Sequence, residues 1–142
     1  YFFLTNANED TVIKSMSANF EKKIAPLLPE ITASGKSEND IIIMASIIER
    51  EAKGDSDRGI ISGILWKRIS IGMALQVDAV PETYKERGLP KSPIGNPGME
   101  SIKTAIHPQS SPYLYYLHDK KGNTYYAKNF AEHRMNVTKY LK

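Results

Sequence analysis

The chain has 142 residues, of which 41% are hydrophobic and 25% charged, and it contains no cysteine. These values are typical of one globular domain, and they exclude a disordered chain, a disulfide framework, a thiolate metal site and a cysteine nucleophile. The 19 basic and 16 acidic residues leave a net charge of +3. This charge is small and dispersed, so we expect no nucleic-acid partner.

Three helices are predicted in the first half of the chain from apolar residues that recur at three- and four-residue intervals. The first covers residues 9–28. The second covers residues 38–53 and has Ser37 as its N-cap. The third covers residues 56–71 and ends at Gly72, a residue that commonly stops helices.

The second half of the chain is predicted to be shorter elements around a rigid loop. Alternating apolar and polar residues predict a strand at residues 73–78, and residues 81–98 predict a loop because they carry four prolines and three glycines. The remaining elements are a helix at residues 99–106, a hairpin of residues 113–117 and 124–127, and a last helix at residues 129–141. We therefore predict a single α+β domain, with several helices packed on a small antiparallel sheet and a C-terminal hairpin and helix.

One carboxyl group on the second helix is the most informative feature of the sequence. At about 100° per residue, Glu51 falls near the middle of the apolar stripe formed by residues such as Met44 and Ile47. Glu49 falls at the edge of the stripe and leans towards solvent. Burial raises the pKa of a carboxyl group, as a general acid requires. The alternative is a structural glutamate paired with a buried arginine, which is the more common case when such a residue stands alone.

Two polar residues of the predicted strand offer a second candidate feature. Gln76 and Asp78 share one strand face, where they either line a cleft for a polyhydroxylated ligand or form a solvated outer face. Asp78 also suggests a second hypothesis, in which Asp78 and Glu51 are the two carboxyl groups of a glycosidase.

The remaining polar and aromatic residues predict no further chemistry. The histidines have no metal-ligand spacing and lie on three different elements, so we predict no metal and no cofactor. The tyrosines of the hairpin either provide platforms for sugar rings or, as we expect for most of them, form cross-strand packing contacts. We expect the basic side chains of the third helix to be solvated. The histidines are His107, His118 and His133, and the basic residues are Arg58, Lys67 and Arg68.

Several ordered segments resemble the motifs of one protein family. The segments are MASIIEREA at residues 44–52, GMALQVD at residues 72–78 and GLPKSPIGNPG at residues 88–98. Together they resemble the catalytic domain of the MltG (YceG-like) endolytic murein transglycosylases, and the likeness covers nearly the whole chain. Two departures stand out: the chain passes quickly from Val80 to Gly88, where family members have a longer stretch, and Lys-Ser replaces the usual Pro-Gly pair of the loop.

This resemblance implies a specific reaction. The family cleaves peptidoglycan strands internally, between N-acetylmuramic acid and N-acetylglucosamine, and leaves 1,6-anhydro ends without a metal or cofactor. Its essential glutamate, the second acid of the E-[KR]-E triplet, corresponds to Glu51, which we expect to act as the single general acid and base. The predicted substrate-binding residues are Gln76, Asp78, Asn96, Ser46 and Glu49. We expect Gln76, Asp78 and Asn96 to lie beside Glu51 at the floor of a cleft with an apolar wall.

The resemblance also predicts the setting of the domain. We expect residues 1–142 to be the catalytic domain of a longer protein, because the chain begins at Tyr1 without an initiator Met. The family carries an N-terminal membrane helix and a LysM-like module, neither of which is in this chain. The implied location is therefore the cell membrane, with the catalytic domain outside the cytoplasm, and the implied partners are peptidoglycan strands and peptidoglycan synthases. Membrane contact is expected only through the absent anchor.

Two other functions remain open on the sequence. One is a lysozyme-like hydrolase that uses Glu51 with Asp78, which requires two carboxylates on either side of the scissile bond. The other is an inactive domain that binds the cell wall as a scaffold.

Overall fold

A computed structural model describes residues 5–142, so the expectation drawn from Tyr1 lies outside the described residues. The described chain forms six α-helices and one two-stranded antiparallel sheet, which confirms the predicted α+β class. In chain order the elements are α1 (Glu9–Ile24), α2 (Leu28–Ala33), α3 (Glu38–Glu51), α4 (Asp55–Ser70), α5 (Met99–Ile106), β1 (Tyr115–His118), β2 (Thr124–Ala127) and α6 (Phe130–Tyr140). Two 3-10 helices cover Ala25–Leu27 and Pro81–Tyr84.

The core is built around α3. Every residue from Ile43 to Ile48 of this helix is buried, and α3 packs most extensively against α5 and also against α4. Its first turn is capped as the sequence predicts, because the Ser37 hydroxyl accepts a hydrogen bond from the backbone N–H of Asp40 at 3.0 Å. The burial of this apolar helix provides the main hydrophobic stabilisation that holds its C-terminal end in place.

The hairpin is fixed to the first turn of α4. Tyr116 lies opposite Tyr126, and His118 lies opposite Thr124. Asp57 of α4 accepts hydrogen bonds from the Thr124 hydroxyl at 2.8 Å and from the Tyr126 hydroxyl at 2.7 Å. Because α4 begins four residues after α3 ends, these bonds hold the hairpin close to the C-terminal end of α3.

The predicted strand at residues 73–78 is wrong. Leu75 and Val77 are buried, as the alternation indicates, but the segment pairs with no strand among the described residues. Gln76 has a φ of +54°, in the left-handed region, which interrupts an extended strand. The backbone N–H groups of Gln76 and Val77 donate to the backbone carbonyl and hydroxyl of Thr83, at 3.1 and 3.0 Å. The alternation therefore reports which side chains are buried, and not strand pairing.

The predicted first helix, at residues 9–28, is divided into three parts. α1 ends at Ile24, a 3-10 helix covers Ala25–Leu27, and α2 begins at Leu28. Pro26 explains the division, since proline has no N–H to continue the helical hydrogen-bond ladder and its ring clashes with the preceding turn.

Candidate active site

A cleft of about 610 Å³ lies between the end of α3, the segment before the second 3-10 helix, the hairpin and α6. Its polar lining includes carboxyl, imidazole and phenol groups, together with one lysine and one arginine. The apolar wall consists of Leu75, Leu117, Phe130, Val137 and Leu141. A cleft of this size that combines polar groups with an apolar wall is typical of a binding site for a small or extended ligand.

Glu51, the last residue of α3, lies in this cleft and is partly buried. Its Oε2 atom accepts a hydrogen bond from the Tyr116 hydroxyl at 2.7 Å. Burial raises the pKa of Glu51 above its ordinary value of 4.5, and the negative charge of Asp78 raises it further. The hydrogen bond from Tyr116 and the positive charges of His118 and Lys53 act in the opposite direction without reversing the shift. The surroundings therefore favour the protonated carboxyl group.

Arg68 supports the cleft from within the protein, and the expectation that it is solvated is wrong. Its side chain is 5% exposed, and its Nε atom donates to the Leu114 carbonyl at 2.7 Å. Its Nη1 atom donates to the Leu75 carbonyl at 2.8 Å and to the side-chain oxygen of Gln76 at 3.4 Å. Among the ion pairs of the described residues, none joins Arg68 to Glu51. The structural alternative for Glu51, a pair with a buried arginine, is therefore not what the structure shows.

Asp78 lies in the same cleft and has its own phenol partner. The hydroxyl of Tyr84 donates to Asp78 Oδ1, and this bond is the main reason that the pKa of Tyr84 is raised to about 12. The structure thus brings Gln76 and Asp78 into one cleft with Glu51, as the sequence predicts. Their roles in binding a substrate remain predictions.

Glu49 lies outside the cleft, and its carboxylate binds the N-terminal end of α5. Its Oε2 atom accepts hydrogen bonds from the Ser101 hydroxyl at 2.6 Å and from the backbone N–H of Gly98 at 3.1 Å. The bond from Ser101 is the main reason that the pKa of Glu49 is lowered. A carboxylate at this position satisfies unpaired N–H groups and the positive end of the α5 dipole.

Ser46 and Asn96 also lie outside the cleft. The Ser46 side chain is 1% exposed, and its hydroxyl donates to the Ile43 carbonyl at 2.7 Å and accepts from the backbone N–H of Ile94 at 3.0 Å. At about 100° per residue, Ser46 and Glu49 project about 140° and 160° away from Glu51 around α3. Both side chains hold the loop of residues 88–98 on the far side of the helix. Asn96 is consequently exposed and does not line the cleft, contrary to the expectation that it lies beside Glu51.

The cleft also contains tyrosines whose role the sequence left open and histidines for which it predicted no functional role. Tyr115 and Tyr116 line the cleft, and so do His118 and His133. The His133 ring stacks on Tyr115 with centroids 5.1 Å apart, and burial lowers its pKa. One feature of the sequence indicates that Tyr116 and His118 lie together: they are two residues apart on one strand and so share a face.

Two features are absent from the described residues. Within residues 5–142, no group of three or more His, Asp or Glu side chains is arranged to hold a metal ion. In the same range, no helix has the length and the apolar character that crossing a membrane requires.

The fold and the cleft define an α+β domain that presents one shielded carboxyl group to a ligand. The model of the YceG-like family matches residues 1–81 and 82–139 of the chain. The chain therefore belongs to the YceG-like family. The two matched segments meet at the second 3-10 helix, close to the place where the sequence departs from the family pattern.

Curated relatives carry a functional name. The endolytic murein transglycosylase of Bacillus subtilis (strain 168) is 29% identical over 154 residues, which cover 93% of this chain and 43% of that protein. The protein of the same name from Streptococcus pneumoniae serotype 2 (strain D39) is 25% identical over 160 residues, which cover 93% of this chain and 29% of that protein. The chain thus spans less than half the length of these relatives.

A solved structure shares the fold. The 2.6 Å crystal structure of a yceG-like protein from Listeria monocytogenes superposes with a TM-score of 0.89 at 31% sequence identity. The match covers 94% of this chain and 51% of that chain.

Proposed function

We propose that this chain is the catalytic domain of an endolytic peptidoglycan lytic transglycosylase. It cleaves the glycosidic bond between N-acetylmuramic acid and N-acetylglucosamine and leaves 1,6-anhydro-muramic acid ends. The observation that carries the proposal is Glu51, a carboxyl group whose pKa is raised by burial in a cleft. The name of the relatives, endolytic murein transglycosylase, supports the choice of substrate and reaction.

The hydrogen bond from Tyr116 determines which oxygen of Glu51 carries the reactive proton. Because the phenol donates to Oε2, the protonated acid keeps Oε2 as its carbonyl oxygen and bears its hydrogen on Oε1. Glu51 Oε1 gives this proton to the departing glycosidic oxygen as the bond to the anomeric carbon breaks. The resulting carboxylate then takes the proton of the muramic acid 6-hydroxyl while that oxygen bonds to the same carbon. Glu51 is thereby returned to its starting state.

Asp78 and Gln76 orient the sugar in this mechanism. Asp78 supplies a second carboxyl group to the cleft, held in place by Tyr84, and its charge favours the positive charge that develops at the anomeric carbon. Gln76 is anchored by Arg68 and offers its amide to sugar hydroxyls.

A hydrolase that uses both carboxyl groups is the second candidate. The observation that favours it is that Asp78 lies in the same cleft as Glu51, close enough for its charge to raise the pKa of Glu51. In that reaction water attacks the anomeric carbon, and the products have reducing ends.

Mass spectrometry of the products decides between these reactions. Purified peptidoglycan is digested with the chain, and the muramic acid ends are examined for the loss of one water that a 1,6-anhydro end requires. Anhydro ends support the lyase, and reducing ends support the hydrolase. Glycan binding without any cleavage supports the third candidate, an inactive wall-binding scaffold. The Glu51→Gln variant controls for contaminating activity.

The proposed substrate also sets the location of the domain. Peptidoglycan lies outside the cytoplasmic membrane, so we infer that the domain works there as part of a longer, single-pass membrane protein. We also propose that it acts beside peptidoglycan synthases, because internal cleavage of strands is useful where strands are made. Co-purification of the full-length protein with such synthases from solubilised membranes tests this part.

A further inference from the structure

One histidine of the cleft has a hydrogen-bonding arrangement that the proposed chemistry leaves unused. His118 lies on β1 opposite Thr124 of β2, and its Nδ1 atom is 3.0 Å from the Thr124 hydroxyl oxygen. The other ring nitrogen, Nε2, is buried and has no hydrogen-bond partner within the described protein. Unpartnered buried nitrogens are uncommon in folded proteins, and each requires an explanation.

The neighbours of Thr124 determine which nitrogen of His118 carries the ring proton. The Thr124 hydroxyl donates to Asp57 Oδ2 at 2.8 Å, and the Tyr126 hydroxyl donates to Asp57 Oδ1 at 2.7 Å. Since a hydroxyl group has one hydrogen, Thr124 has only lone pairs left to offer to His118. Nδ1 therefore donates to Thr124. In the neutral imidazole, Nε2 is then a hydrogen-bond acceptor.

The His118 side chain lines the part of the cleft that contains Glu51. The His118 ring is 5.7 Å from the ring of Tyr116, whose hydroxyl donates to Glu51. His118 also lines the same cleft as Glu51, and a positive charge on its ring stabilises the Glu51 carboxylate. His118 and Glu51 are therefore neighbours in one cleft.

We propose that His118 Nε2 accepts a hydrogen bond from a hydroxyl group of the bound glycan, and that Asp57 and Thr124 hold the imidazole in the required tautomer. This inference rests on the proposed glycan substrate and adds a binding residue to it. Nε2 is covered in the free protein, so the side chains over it shift on binding, and a sugar hydroxyl then satisfies the buried acceptor. His118 is thus a substrate-binding residue, and Thr124 and Asp57 are positioning residues.

Binding is measured in the Glu51→Gln background, so that the glycan is bound and not cleaved. The probe is a soluble peptidoglycan glycan fragment, titrated by calorimetry. We expect His118→Ala to weaken binding about tenfold, the effect of one lost hydrogen bond. Thr124→Val, which keeps the shape of the side chain and removes its hydroxyl, weakens binding by a smaller factor. Thr124→Ser restores the hydroxyl and matches the background.

The tautomer gives a readout that a merely structural role does not change. The ¹⁵N chemical shifts of the His118 ring distinguish a proton on Nδ1 from one on Nε2. We expect the Nδ1–H form in the background and in Thr124→Ser, and its loss in Thr124→Val. Thermal unfolding confirms that each variant is folded.

Two results overturn the inference. One is equal glycan affinity in the background and in folded His118→Ala. The other is equal affinity in Thr124→Val and Thr124→Ser, which remains decisive if His118→Ala does not fold. If the unmutated chain cleaves peptidoglycan and His118→Ala leaves its KM unchanged, the inference alone fails. If the chain neither binds nor cleaves peptidoglycan, the proposed function fails as well.

Discussion

Two glutamates at the end of α3 stand two residues apart and have opposite surroundings. Glu49 accepts hydrogen bonds from Ser101 and Gly98 at the start of α5, which lower its pKa. Glu51 is withdrawn from water, accepts one hydrogen bond from Tyr116, and has a raised pKa. The same helix therefore holds one carboxyl group as a structural anion and keeps the other suited to giving up a proton.

The comparison shows that position around a helix decides the role of a residue through the partners that it meets. Glu49 projects towards a helix N-terminus, where N–H groups and the helix dipole stabilise a negative charge. Glu51 projects towards the hairpin, where the Tyr116 phenol donates to it and burial withdraws it from water. Variants at both positions, made in parallel, test whether this division of roles is real.

The largest expected effect is the loss of catalysis in Glu51→Gln. Removal of the general acid lowers the rate of peptidoglycan cleavage about a thousandfold, because proton transfer to the leaving oxygen is lost. Release of soluble glycan fragments over time gives the rate. Glu49→Gln is the matched control and keeps most of the activity, since its side chain lies outside the cleft. Equal rates in the two variants would contradict the assignment of Glu51.

A smaller effect on the rate is expected for Tyr116→Phe. The phenol hydrogen bond favours the carboxylate, so its removal raises the pKa of Glu51 further. The alkaline limb of the pH–rate profile, where Glu51 loses its proton, therefore moves to higher pH. The maximal rate falls about tenfold, because the developing carboxylate loses its donor. A profile identical to that of the parent would show that the phenol does not act on Glu51.

The two glutamates are also expected to affect stability with opposite signs. Glu49→Gln lowers the free energy of unfolding by about 1 kcal/mol at pH 7, the value of a lost charge-assisted hydrogen bond. Because the pKa of Glu49 is lowered in the folded protein, its contribution to the free energy of unfolding is present above pH 4.5, its ordinary pKa. That contribution is lost as the pH falls through the folded pKa. Urea denaturation at pH 7 and pH 4 measures the difference, which we expect to shrink at pH 4.

The smallest expected effect is a gain in stability for Glu51→Gln. Because the pKa of Glu51 is raised in the folded protein, its contribution to the free energy of unfolding is present below pH 4.5. That contribution is lost as the pH rises through the folded pKa. The neutral amide removes this loss and stabilises the protein by roughly 0.5–1 kcal/mol above that pH. The same denaturation experiments give the sign. A destabilised Glu51→Gln at pH 7 would mean that the Glu51 carboxylate supports the fold.

The separation of the two acids could be predicted from the sequence because it depends only on the helical period. The apolar stripe of α3 and its Ser37 cap identify the helix, and the angle per residue then places Glu51 inwards and Glu49 outwards. The burial of Leu75 and Val77 could be predicted in the same way. Local periodicity reports which side of a segment faces the core.

The cleft could be predicted only in part because its walls come from distant segments. Tyr116 was expected to pack across the hairpin and Arg68 to face solvent, but the Tyr116–Glu51 contact spans 65 residues and the Arg68–Leu114 contact spans 46. The misplacement of Asn96 has the same origin, because nothing in its own segment indicates the side of α3 on which the loop packs. Contacts of this range depend on how the elements pack together.

Because Glu51 and Tyr116 are 65 residues apart in the chain, the contact between them forms late in folding. Helices form from local contacts, whereas contacts between distant residues must first overcome the entropy of closing a long loop. As the ribosome extends the chain, α3 and α4 are complete about 45 residues before the hairpin begins. Until the hairpin docks, Glu51 is an ordinary, hydrated carboxyl group. The raised pKa that suits Glu51 to proton donation therefore arises in one of the last steps of folding, and a chain that stops before Tyr115 never acquires it.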